Sequence, residues 1–199
     1  MHRRQLIGAA SAILAATAVP AFAAAPAVSS PLLTPNLLAQ ARAALNRHRD
    51  RIKNFDRIGI ADFGAHASKP RLHVFDLQSG KVKSVLVAHG RGSDPAHTGW
   101  LKTFSNAEGS EATSQGAYLT ADVYNGKHGV SRRLIGLDAD NCNALSRGIV
   151  IHSAPYVSAD LARSGTLGRS QGCFAVSQAD HDTVLDLLGP DRLLLAIKS

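Results

Sequence analysis

Gly148-Ile149-Val150-Ile151-His152-Ser153, a polar excursion, and then Gly168-Arg169-Ser170-Gln171-Gly172-Cys173-Phe174-Ala175-Val176 form the stretch from which the rest of the chain can be read. Each apolar run is strand-length; a histidine closes the first and a cysteine opens the second. A short excursion between neighbouring strands returns the chain beside its departure point, which brings the imidazole of His152 to the thiol of Cys173. A thiol is a poor nucleophile until something takes its proton, and a nearby histidine is the usual device. Gly172 lets the backbone turn sharply, so that the N–H groups of Gln171, Gly172 and Cys173 can face an oxyanion forming on an attacked carbonyl. A satisfied core histidine is the competing reading of His152. The flexible excursion and the Gly-Cys presentation favour a catalytic pair at strand ends. The expectation is a cysteine enzyme of acyl transfer, in which a low-pKa thiolate beside an imidazolium would be intrinsically reactive.

Working outward, strands recur. Arg57–Phe63 and Leu72–Leu77 read as strands, and Gln78-Ser79-Gly80 turns the second into Val82–Val87. Ala117–Tyr124, the turn Asn125-Gly126 and Val130–Leu137 predict a second hairpin. Between the hairpins, residues 89–114 are rich in Gly, Ser, Asp and Asn, lack a period, and read as a long loop. Thr34-Pro35 predicts an N-cap and first helical residue, with Leu37, Leu38, Ala41, Ala44 and Leu45 at helical spacing to about Arg51. Ser177 predicts a cap for a helix over Asp180–Leu188, which Gly189-Pro190 stops before a closing strand, Arg192–Ile197. Many short strands and few helices predict a mainly-β sandwich or barrel with a few peripheral helices.

The length suits one core, over residues 34–199, preceded by an Ala/Pro/Ser linker at 24–33. Residues 1–23 have a basic start, an apolar Ala-rich run and the small residues Ala21-Phe22-Ala23, the pattern of an export signal cut before Ala24. The apolar run is short of the roughly 20 residues a spanning helix needs, so no membrane anchor is expected after cleavage. Arg3-Arg4 suits either a general secretory or a twin-arginine route, and the expected destination is the periplasm. The 22 Lys and Arg, less Arg3 and Arg4, against 15 acidic residues leave the processed chain at +5. That charge permits attraction to polyanions, but no dense basic run or aromatic-basic interleaving points to nucleic acid.

Two cysteines in an exported chain, Cys142 and Cys173, are read blandly as one disulfide; that pairing would quench the thiol the motif presents. His66, His73, His89, His97 and His128 show no HExxH or paired ligand spacing, so no metal is expected. Arg169 and Ser170 stand beside the cysteine as substrate-binding candidates, and Arg169 suits equally a substrate carboxylate or loop carbonyls. Tyr156 lines the cleft or packs on its loop, and His128, in Asn125-Gly126-Lys127-His128-Gly129, is a further cleft candidate.

Ile151-His152-Ser153 with Gly168–Cys173 resembles the catalytic segment of YkuD-type L,D-transpeptidases, in their divergent murein L,D-transpeptidase branch. The resemblance runs from about His89 through Phe104-Ser105-Asn106, Ser114–Tyr118 and Tyr124–Gly129 to Val176. It implies a β-sandwich-like domain in which Cys173 attacks the L,D amide of a peptidoglycan stem tetrapeptide and expels D-alanine. It further implies His152 as base and then acid, Ser153 as the carbonyl partner of that histidine, and passage of the thioester to an amine. No cofactor is implied, and carbapenems are implied to trap the cysteine. Gln171 stands where the family has histidine, and Arg169 precedes the cysteine where the family has an arginine after it. Release of the thioester to water, as in an L,D-carboxypeptidase, and a non-catalytic wall-binding module are the alternatives.

Overall fold

The computed structural model describes residues 33–165 and 167–199. The export signal and the linker up to residue 32 lie outside the described residues. Nine strands form one mixed sheet: β1 (Arg57–Asp62), β2 (Leu72–Asp76), β3 (Val82–Val85), β4 (Val87–Ala88), β5 (Gly116–Gly126), β6 (Gly129–Gly136), β7 (Val150–Ser153), β8 (Phe174–Val176) and β9 (Leu193–Ile197). Their spatial order is β3-β2-β1-β9-β5-β6-β7-β8-β4. The two edges, β3 and β4, are consecutive in the chain and separated only by Leu86. One segment therefore serves both edges, so the sheet curls until they meet, in keeping with the mainly-β expectation. The run predicted as one strand over Val82–Val87 is split for that reason.

The closing strand enters the middle of the sheet, parallel to β1 and antiparallel to β5. Its unbroken apolar sequence follows from burial on both faces. Leu194 and Ala196 point into the curled sheet with Tyr118, Ile151 and Phe174. Leu193, Leu195 and Ile197 point outward with Ile58, Ile60 and Ala117, under α1 (Pro35–Arg47). The Thr34 hydroxyl accepts from Leu37 N–H, with Pro35 opening the helix, and Leu37, Leu38, Ala41, Ala44 and Leu45 form its buried stripe. Leu33, assigned to the linker by composition, is buried in the same layer. The helix stops four residues short of Arg51 because the chain turns at His48, whose carbonyl accepts from Arg51 and Ile52 N–H and carries Ile52 into the core.

Both predicted hairpins form, and the turn of the second moves. Gly126 pairs with Gly129, so Lys127-His128 is the two-residue turn and Asn125-Gly126 belongs to β5. Gly129, at φ 74°, takes the left-handed conformation that closes it. A short helix, α2 (Ala159–Arg163), in the excursion between β7 and β8 has no strong sequence signal and was not predicted. Ser177 caps α3 (Gln178–Leu187) through Asp180 N–H, as its sequence predicts.

Candidate active site

Strands β7 and β8 are parallel neighbours, with Ile151 opposite Phe174 and His152 opposite Ala175. Side chains alternate along a strand, so Ile151 and Phe174 enter the core and His152 takes the other face. Continuing the register back one residue sets Cys173 beside Val150, on the face of His152 and two residues along from it. Cys173, His152 and Val150 line one cleft of about 240 Å³, together with Tyr124, Lys127 and Gln171. That volume falls short of the ~300 Å³ lower range of ligand pockets, so it suits the reacting segment of a longer substrate.

The imidazole has a defined tautomer. Nδ1 of His152 lies 2.8 Å from the Ser153 carbonyl oxygen, which can only accept, so Nδ1 carries the hydrogen and Nε2 keeps its lone pair. The His128 ring stacks on it, centroids 4.2 Å apart. Burial pulls the His152 pKa from 6.5 down to about 4, against the Ser153 bond, which raises it; His128, His181 and Lys127 lower it further. Burial pushes the Cys173 thiol up, outweighing the Val150 backbone, Lys127 and Arg147, which favour the thiolate. The resting pair is therefore thiol and neutral imidazole. A resting thiolate beside an imidazolium is disfavoured, because the same burial that protects the site works against both charges.

The cysteine loop is held from below. Ser170 N–H donates to the His89 carbonyl at 2.9 Å, and the Ser170 carbonyl accepts from Arg91 N–H at 2.8 Å. Ser170 is buried; its hydroxyl donates to the Cys173 carbonyl at 2.7 Å and accepts from Gly172 N–H at 3.1 Å. Gly172 N–H is thus bonded within the loop in this arrangement. Gly172 lies at φ 114°, and a Cβ there would come 2.8 Å from the Ala112 carbonyl oxygen, so glycine is required.

Of the substrate-binding candidates, Arg169 donates to the carbonyls of Asp94 and Pro95, so it braces the loop. Tyr156 lines the cleft and also packs on the loop, its Cβ lying 2.4 Å from where a Cβ on Gly168 would fall. Burial and the neighbouring Cys173 push its hydroxyl up to about 12, so it remains protonated. Arg147, Lys127 and Tyr124 line the cleft without having been singled out as site residues by sequence. Arg147 donates to Ser105 and Ala112 carbonyls and to Ser114 and Ser110 hydroxyls. Cys142 is exposed and Cys173 buried, both as thiols. Among the described residues no cluster of three His, Cys, Asp or Glu side chains is placed to hold a metal.

An oriented imidazole on one strand and a thiol at the start of its parallel neighbour share one cleft of a curled, mainly-β sheet. The chain belongs to the L,D-transpeptidase catalytic domain family YkuD_2, whose profile matches residues 29–197. Among solved structures it is similar to L,D-transpeptidase 3 of Mycobacterium tuberculosis, with 14% identity, TM-score 0.46, and coverage of 72% of this chain and 61% of that one. An L,D-transpeptidase from Mycobacterium smegmatis matches at 14% identity and TM-score 0.44, over 71% of this chain and 58% of that one. The helical cell shape determining protein Pgp2 of Campylobacter jejuni matches at 15% identity and TM-score 0.48, over 83% of this chain and 57% of that one. The chain spans less than two thirds of the length of each. No curated protein sequence matches it.

Proposed function

We propose that the protein is a peptidoglycan L,D-transpeptidase in which Cys173 attacks the L,D amide of a stem tetrapeptide. The observation that carries this reading is the Nδ1–H bond of His152 to the Ser153 carbonyl, which leaves Nε2 as a base in the cleft it shares with Cys173. As Sγ bonds to the carbonyl carbon, its proton passes to Nε2. The oxyanion is met by the Cys173 and Gln171 N–H groups. Collapse breaks the amide C–N bond while Nε2–H protonates the departing D-alanine amine, leaving a thioester and a neutral imidazole. An amine of a neighbouring stem then attacks, with Nε2 taking its proton and returning it to the sulfur. Water in place of that amine makes the enzyme an L,D-carboxypeptidase. Mass spectrometry of muropeptides after incubation with the protein separates these: cross-linked dimers support transfer, tripeptides alone support hydrolysis, and unchanged tetrapeptides reject both.

The neutral resting pair carries a pH dependence. Alkylation of Cys173 by iodoacetamide should rise with a midpoint above the ordinary thiol value of 9.0. A plateau already reached in acid would mean a resting thiolate–imidazolium pair. His152 and His89, both buried, have pKa values pulled from 6.5 to about 4, so on acidification the unfolded chain takes their protons first. Stability is then fully present above pH 6.5 and is lost as pH falls toward 4. The loss is on the order of 3 kcal/mol per ring, readable from urea unfolding as a function of pH.

The reading includes export. Intact-mass analysis of the periplasmic fraction should find a chain beginning at Ala24, and full-length chain confined to the cytoplasm would reject it. Among the described residues no helix is long and apolar enough to cross a membrane.

A further inference from the structure

Three cationic side chains line the cleft, Arg147, Arg169 and Lys127, and no carboxylate lines it. The two arginines are occupied. Arg147 gives both terminal nitrogens to carbonyls and hydroxyls between Ser105 and Ser114, and Arg169 gives Nη1 to the Asp94 and Pro95 carbonyls. Their charge supports the loops that enclose the site. Lys127 differs. It is exposed at the tip of the β5–β6 hairpin, and among the described residues nothing accepts a hydrogen bond or ion pair from its ammonium group. Its neighbour His128 is stacked on His152, and burial together with Lys127 disfavours the charged form of that ring.

We propose that Lys127 is a specificity-determining residue of the cleft, which binds a carboxylate of the acyl donor close to the scissile amide. This deepens the transpeptidase reading and rests on it for the identity of the donor, a stem peptide with a free carboxylate next to the bond attacked. An ammonium on a flexible four-carbon stem is a point charge that needs no fixed partner geometry, which suits a site open to solvent on one side. The field of Lys127 also reaches the reacting groups, where it favours the thiolate of Cys173 and disfavours protonation of His152. Discrimination by carboxylate must therefore be separated from a general effect on the thiol.

A matched pair of alkylating agents makes that separation. Iodoacetate and iodoacetamide attack the same sulfur by the same displacement, with iodide leaving, and differ in whether the reagent carries a carboxylate. In a Cys142→Ser background, which leaves Cys173 as the only thiol, the iodoacetate-to-iodoacetamide rate ratio cancels any change in thiolate fraction. Lys127→Ala should lower that ratio about 10-fold and Lys127→Arg should restore most of it, the size expected when one partly desolvated charge pair is removed. An unchanged ratio in Lys127→Ala overturns the proposal. With a stem tetrapeptide, Lys127→Ala should raise KM for the free acid about 10-fold more than it raises KM for a C-terminal amide analogue, any general effect on the thiol being common to both. Equal effects on acid and amide also overturn it. If the wild-type protein alkylates with the predicted charge selectivity but is never acylated by the tetrapeptide, the carboxylate site stands and the transpeptidase reading fails. Acylation of wild type and Lys127→Ala at equal rates means the reverse.

Discussion

Cys173→Ala should give no covalent adduct with either a stem tetrapeptide or a carbapenem, while His152→Ala should retain a trace. The alanine variant has no sulfur to acylate, so its loss is complete. The histidine variant keeps the thiol, but the raised Cys173 pKa leaves little thiolate at neutral pH without a base to form it during attack. Removing general acid–base assistance costs typically about 10²- to 10⁴-fold, and the upper part of that span suits a thiol that is protonated at rest. Both variants should fold. Cys173→Ala removes a small side chain whose thiol donates to the Gly148 carbonyl, 3.6 Å away. Intact-mass measurement of each folded variant after incubation reads the result, and adduct on Cys142 or undiminished adduct in Cys173→Ala would remove Cys173 from the proposed mechanism.

What the sequence disclosed follows from the range over which each signal acts. The strand content, the two hairpins and the caps at Thr34 and Ser177 are local, written in period-two apolar runs and in single hydroxyl residues, and they form. The juxtaposition of His152 and Cys173 was legible because the excursion between β7 and β8 is short enough to pair those strands directly. The insertion of β9 between β1 and β5 was not, since sheet order is decided by which faces must be buried across the whole chain. Leu193–Ile197 carried half of that information, in apolar residues that leave no solvent face. Arg147 and Lys127 were missed for related reasons. A basic residue before a strand and another in a hairpin turn look like ordinary surface charge until the fold brings both to one cleft. The balance of charge on Cys173 and His152 was not legible because burial is a tertiary property: the motif presents a thiol and an imidazole and is silent on the dielectric around them.

Beneath the cysteine loop lies a polar layer that the sequence did not announce, and its loss should produce the largest change in stability. Arg71 is fully buried. It donates through Nε to the Val87 carbonyl at 3.0 Å, through Nη1 to the Ala65 carbonyl at 2.9 Å, and through Nη2 to Nδ1 of His89 at 2.7 Å. Its guanidinium sits 4.9 Å from the Phe63 ring centre. Burial lowers its pKa to about 9, with Asp62 and Asp94 opposing, so it is charged at neutral pH. Because Nδ1 of His89 accepts, Nε2 carries the hydrogen and faces the Asp94 carboxylate 3.5 Å away. Asp94 in turn accepts from Thr98 and Gly99 N–H. The backbone of this layer grips the cysteine loop: the His89 carbonyl takes Ser170 N–H, and the Asp94 carbonyl takes Arg169. Arg71→Ala takes a donor from the Val87 and Ala65 carbonyls and from Nδ1 of the buried His89, and strips the buried Asp94 carboxylate of its nearby cation. Breaking a buried charged network from one side typically costs about 3–5 kcal/mol, and urea unfolding should show a loss of that size. The folded fraction should also alkylate at Cys173 with altered rate, because the Gly90–Ser170 bridge beneath the cysteine depends on the same segment. Arg71→Lys, which keeps the charge but cannot span three acceptors, should recover only part of the stability. A wild-type unfolding midpoint in Arg71→Ala would show that the layer contributes nothing to holding the loop.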